Sequence, residues 1–235
     1  MNLLLAPNSF LFWLSLMLSL PIILLACRLA PWGQVFVSQA RQHVLFASIL
    51  VLGLFWVLQV EVRATLAFHP LLMTVTTMIF GWSLAILVGV MALLVLEFFQ
   101  LALRSTHYDW DVSLAQFDLS TVPVDFLLSV ALPVSWTWIM LWLIDRWKYK
   151  NPFTYFLGVG FFGAMASSLL MGLAALLLFS FSASEVQLAM AKEHFMVFVL
   201  LMFPEGFSNG AIATVMAVLW PDILKTYNDD WYVNN

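Results

Sequence analysis

Uninterrupted stretches without charge constrain this chain more than any other feature. No Asp, Glu, Lys or Arg precedes Arg28, none lies between Arg63 and Glu97, and none lies between Lys150 and Glu185. A charge at the bilayer centre costs about 3 kcal/mol on insertion scales, whereas a soluble surface needs charges at short intervals. The stretches are continuous rather than alternating, so they predict transmembrane helices and not barrel strands. Composition agrees: 9% of the residues are charged and 63% hydrophobic, against about 25% charged in ordinary soluble domains. Seven spans of about 20 residues need about 140 residues, which a chain of 235 supplies. The expected fold is an all-α membrane protein of about seven transmembrane helices, in one integral membrane domain covering residues 1–235.

The spans are expected at 9–27, 44–60, 64–80, 82–103, 122–144, 153–181 and 195–220. The run Leu11–Ala26 has the length of a signal-peptide core, and Leu24-Leu25-Ala26-Cys27 loosely resembles a lipoprotein cleavage box. No Lys or Arg precedes it, so it reads as a retained helix. Arg28, Arg41, Arg146, Lys148, Lys150 and Lys225 fall on one side of the membrane, and Arg63, Arg104 and Lys192 on the other. The excess predicts an external N-terminus and a cytoplasmic C-terminus. The longest outer loop, 104–121, is acidic with Asp109, Asp111 and Asp118. Aromatic residues, 16% of the chain, read as lipid-facing bulk with Trp near the inner interface.

Several function classes drop out. Nine Lys+Arg against 13 Asp+Glu leave no basic patch for nucleic acid. Cys27 is the single cysteine, so no internal disulfide framework exists. The chain has no Walker A sequence, no His-Glu-x-x-His and no Gly-x-Ser-x-Gly. Gly158-Val159-Gly160-Phe161-Phe162-Gly163 matches the dinucleotide spacing but opens a hydrophobic span with no strand before it. It reads instead as small residues for helix contact, continued by Ala164, Ala166, Ser167 and Ser168. His43, His107 and His194 sit in loops or span ends and read as surface histidines.

Ionisable groups at membrane depth are costly and point to function. Four are expected there, on four different spans: His69, Glu97, Asp125 and Glu205. At 1.5 Å per residue they lie roughly 8, 9, 5 and 15 Å below the outer surface. Asn209 follows Glu205 by four residues and shares its face. Together they suggest a polar pocket reached from outside. Each also has a plain structural reading: His69 before Pro70 as a helix-start residue, Glu97 and Asp125 as snorkelling or capping groups, Glu205 as a hydrogen bond to a neighbouring helix.

Two segments carry a family resemblance. Phe68-His69-Pro70 leads through Thr74-Val75-Thr76 to Phe80-Gly81, and Phe203-Pro204-Glu205-Gly206 is followed by Asn209-Gly210 and Leu219-Trp220-Pro221-Asp222. The pattern resembles the CbiM/NikM-like permeases of energy-coupling factor ABC transporters, the cobalt and nickel uptake family, in a divergent proteobacterial branch. Similarity runs over about residues 40–226. The resemblance implies a substrate-capture component in a prokaryotic inner membrane, working with a transmembrane coupling subunit and cytoplasmic ATPase subunits. It implies no enzymatic activity and no intrinsic cofactor, with a divalent transition-metal cation as cargo. The implied metal site is His69, as a neutral imidazole, with Glu205, Asp125 and Asn209. The chain departs from the family at its start: classical members begin Met-His, and here Met1-Asn2-Leu3 stands instead. Nickel or cobalt selectivity therefore does not carry over, and the residues present form a harder, more oxygen-rich set. The missing histidine motivates an alternative, a scaffold or regulator of the same fold. An intramembrane enzyme using Glu205 and His69 as acid and base lacks any nucleophile motif, and a channel lacks a polar path through the inner half.

Overall fold

The computed structural model describes residues 2–3, 9–58, 60–62, 66–107, 121–148, 151–182, 188–189, 192–193 and 195–227. Expectations resting on Met1, Arg63, Asp109, Asp111, Asp118, Lys150 and His194 lie outside the described residues. The fold is an all-α membrane protein. Six helices are long and apolar enough to cross a bilayer. They fall within α1 (Ser9–Leu29), α3 (Gln39–Val57), α4 (Met73–His107), the crossings Val122–Asp145 and Thr154–Leu178, and α8 (Phe195–Leu219). A short helix α2 (Trp32–Val37) joins α1 to α3. The fourth crossing is α5 (Val122–Phe126), a π-helical turn (Leu127–Ala131) and α6 (Leu132–Asp145). The fifth is a π-helical segment (Thr154–Gly163) leading into α7 (Ala164–Ser182). A 3₁₀ turn, Pro221–Ile223, follows α8.

The expected spans 64–80 and 82–103 become something other than two full helices. Gly81 interrupts α4 at φ 74°, ψ 175°, a region open essentially only to glycine. The chain doubles back there. A Cβ placed on Gly89 would lie 3.1 Å from Met73 Cε, although the two residues would be about 24 Å apart in a straight helix. Residues 73–80 therefore form a half-helix running antiparallel to 82–107. Ahead of the half-helix, β2 (Val60–Val62) and β3 (Leu66–Phe68) join β1 (Asn2–Leu3), from the start of the chain, in an antiparallel sheet of order β1-β3-β2. Among the described residues the long apolar helices number six, and the expected third span is helical only over 73–80. The second expected span, 44–60, is found at Gln39–Val57.

The half-helix is the centre of the molecule. Met73, Thr77 and Met78 have no exposed surface. Around it the apolar side chains that face outward, such as Met17, Phe46, Leu50, Ile139, Leu173, Phe207 and Val218, form the belt a bilayer requires. Some aromatics break the expectation of lipid-facing bulk: Trp56 and Tyr155 are fully buried. Buried hydroxyls turn back onto carbonyls of their own helices. Ser15 donates to Leu11 O at 2.6 Å, Thr77 to Met73 O at 2.7 Å and Thr137 to Pro133 O at 2.8 Å. Pro133 lacks an N–H to donate. The π turn just before it shifts the bonding by one residue, and the Leu132 N–H reaches Leu127 O.

The small residues of the Gly158–Gly163 segment do mediate helix contact. A Cβ on Gly160 would lie 3.2 Å from Gly210 Cα, and one on Gly158 would lie 3.6 Å from Ile144 Cδ1. The Gly160 face is thus occupied by α8 of the same chain.

Candidate functional site

A helix that begins inside a membrane exposes its first N–H groups where no water can meet them. The half-helix at 73–80 has this problem, and α8 solves it with two side chains one turn apart. Glu205 Oε2 accepts from the Leu71 N–H at 2.9 Å, and Oε1 accepts from the Leu72 N–H at 2.8 Å. Asn209 Oδ1 accepts from the Val75 N–H at 2.8 Å. The Asn209 amide in turn donates to Glu205 Oε1 at 2.7 Å and to the Glu205 carbonyl at 2.8 Å. An acidic group at a helix N-terminus also meets the positive end of the helix dipole. Glu205 and Asn209, both buried, act together as a cap supplied from another helix.

The segment 69–72 between β3 and the half-helix is held from its other side by α3. The indole N–H of Trp56 donates to Leu71 O at 3.2 Å. The Trp56 ring lies against the His69 imidazole, with centroids 4.9 Å apart and planes inclined by 38°. Leu72 sits at φ 54°, the left-handed region that a bulky side chain rarely enters. Hydrogen bonds on Leu71 and Leu72 from two helices are what hold it there.

The far end of the half-helix is also capped. The Lys225 N–H donates to Ile79 O at 3.0 Å, and the Thr226 N–H donates to Met78 O at 3.3 Å. The Thr226 hydroxyl adds a bond to Met78 O at 2.8 Å and meets Tyr155 Oη at 2.6 Å. Lys225 Nζ lies 3.4 Å from the position a Gly81 Cβ would take, a cation at the negative end of the dipole.

Glu205 and Asn209 are thus brought together on residues 71–75. His69 is buried against Trp56, two residues before the first bond to Glu205. Asp125 is buried in the first turn of α5, which packs on α1 and on β1. Strand β1 pairs with β3 through Asn2–Ala67 and Leu3–Leu66, so the strand leading to His69 and the helix carrying Asp125 share one neighbour. Glu97 is half-buried on the second half of α4. Among the described residues, no three His, Cys, Asp or Glu side chains stand together as a metal cage. Sequence reasoning missed Trp56, the backbone donors of Leu71, Leu72 and Val75, and the Lys225–Thr226 cap. The signal available for the first break was His69-Pro70, since a residue before proline is pushed out of the helical region. Comparison with known protein families, with curated proteins and with solved structures finds no match to this chain.

Proposed function

We propose that the chain is the substrate-capture membrane component of an energy-coupling factor type transporter, with a divalent transition-metal cation as its cargo. The observation that supports this reading is the broken third pass. Non-helical backbone at membrane depth persists where it is enclosed by protein and lines a site, and interrupted helices are where membrane carriers bind their solutes. Here the break falls at 69–72, beside the buried His69. In this reading His69 offers a neutral imidazole nitrogen, and Asp125 approaches from α5. Glu205 supplies negative charge: a carboxylate has about four acceptor places, and its three bonds leave one on Oε2. Asn209 orients Glu205 rather than binding cargo. The protein sits in a prokaryotic inner membrane with its sheet end outside and its basic end inside, and separate coupling and ATPase subunits drive it.

One observation favours the alternative of a scaffold or regulator: Asn209 Oδ1 and two of the three bonds of the Glu205 carboxylate are committed to the backbone of residues 71–75, and the Asn209 amide is committed to Glu205. Metal content separates the two. Detergent-purified protein offered nickel, cobalt, zinc, manganese and iron(II) in competition is expected to retain stoichiometric metal, and His69→Ala to lose it. Wild-type protein that emerges without metal, or a His69→Ala variant that keeps it, would overturn the capture reading.

A further inference from the structure

A cavity of about 620 Å³ opens at the basic end of the bundle, between the α1–α3 connection and the segment that follows α8. Its lining is divided. Leu45, Phe80 and Leu84 form an apolar wall, while Arg41 and Lys225 stand over it with Asp222 on the same rim. The Arg41 guanidinium donates one bond, to Gln34 Oε1 at 2.9 Å, and has further N–H groups to offer. Among the described residues the Lys225 ammonium meets no carboxylate. Partial burial, and then repulsion from Arg41, holds that ammonium below its ordinary range. Asp222 on the rim forms an ion pair with neither cation among the described residues, so the two cations leave room for an added anion.

We propose that this cavity binds the headgroup of an anionic phospholipid, its phosphate between Arg41 and Lys225 and its first acyl carbons against Phe80, Leu84 and Leu45. The occupant is a lipid rather than a soluble phosphate because the cavity lies at helix ends, where headgroups sit, and because one wall is apolar. Basic pockets between helices at the cytoplasmic leaflet suit this chemistry. The cavity floor includes Ile79 and Phe80, the last residues of the half-helix, whose carbonyl at Ile79 is capped by the Lys225 backbone. A bound headgroup therefore braces the same element that Glu205 holds from the other end.

Native mass spectrometry in detergent tests this with three probes: dioleoylphosphatidylglycerol, dioleoylphosphatidylcholine and glycerol 1-phosphate. Wild-type protein is expected to retain phosphatidylglycerol in preference to phosphatidylcholine and to bind glycerol 1-phosphate weakly. A basic side chain near an anionic headgroup is worth about a factor of five. Arg41→Gln with Lys225→Gln should weaken phosphatidylglycerol roughly thirtyfold. Arg41→Gln alone, an exposed position, should weaken it about fivefold even where the double variant folds poorly, and Lys225→Arg should keep the preference. Equal retention of the two lipids, phosphatidylglycerol binding that Arg41→Gln leaves unchanged, or glycerol 1-phosphate binding as tightly as the lipid would each overturn the proposal.

Discussion

Replacing Glu205 with alanine is expected to lower the unfolding temperature of the detergent-purified protein by roughly 10 °C, at 2–4 °C per kcal/mol for a chain of this size. The variant strips the acceptor from the Leu71 N–H, the Leu72 N–H and the Asn209 amide. Each buried donor left without a partner costs about 1–3 kcal/mol, and partial rearrangement brings the sum to about 4 kcal/mol. The loss falls where the chain is least able to adjust, because Leu72 holds a left-handed conformation only while its neighbours are tied. Glu205→Gln should lose about half as much. Its amide oxygen still serves Leu72 and Asn209 from the Oε1 position, while its NH₂ meets the Leu71 N–H donor to donor. Thermal unfolding followed by tryptophan fluorescence reads both. An alanine variant within about 2 °C of wild type would show that these bonds do not hold the half-helix.

Gly206→Val should be nearly as damaging, for a different reason. The neighbouring face of α8 has no room for a side chain: a Cβ on Gly206 would lie 2.6 Å from Met165 Cγ and 2.9 Å from the Phe161 carbonyl oxygen. Overpacking of this kind costs about 3 kcal/mol. Met165 is flexible and can withdraw, but the carbonyl is backbone. Met165→Ala should therefore rescue the variant only in part, and full rescue would place the conflict in the side chain alone. Gly33, with nothing within 4 Å of its Cβ position, is the control: Gly33→Ala removes a helical glycine from α2 and should stabilise by up to about 1 kcal/mol. Because Gly206 adjoins Glu205, pushing α8 away from the 154–163 segment also pulls the cap off residues 71–72.

The passes were legible because lipid demands long apolar runs, and the charge-free stretches supplied them. The reversal at Gly81 was not legible. Phe80-Gly81 shows only that a flexible residue lies between two apolar segments. Whether it bends, breaks or reverses the chain depends on what packs against Gly89 and Met73. The i, i+4 spacing of Glu205 and Asn209 revealed that they share a face, and their depth revealed that they need partners. The partners are backbone N–H groups at Leu71, Leu72 and Val75, which leave no mark in the residue types. Trp56 was hidden among many aromatics, since composition does not distinguish an indole facing lipid from one bonded to a carbonyl. The glycines at 158–163 were read for what they do, because close helix approach has few alternatives in residue size. Strands of two or three residues carry no detectable alternation, so the small sheet was invisible.

In the proposed reading the broken pass divides its labour: His69 would hold the cargo, and Glu205 would hold the backbone while lending its charge. Unfolding temperatures measured with and without nickel, cobalt, zinc, manganese and iron(II) test it directly in two variants. His69→Phe keeps a ring on Trp56 but removes the imidazole nitrogens. Ligand at a hundredfold over its dissociation constant stabilises by about 2.7 kcal/mol, a rise of roughly 5–10 °C. Wild type should show that rise. Glu205→Gln should start lower and still rise, but by less, because the variant loses the charge and the one acceptor place on Oε2, whereas His69→Phe should start near wild type and not rise. A His69→Phe protein that metal still stabilises, or a Glu205→Gln protein of normal stability that metal no longer stabilises, would contradict the account.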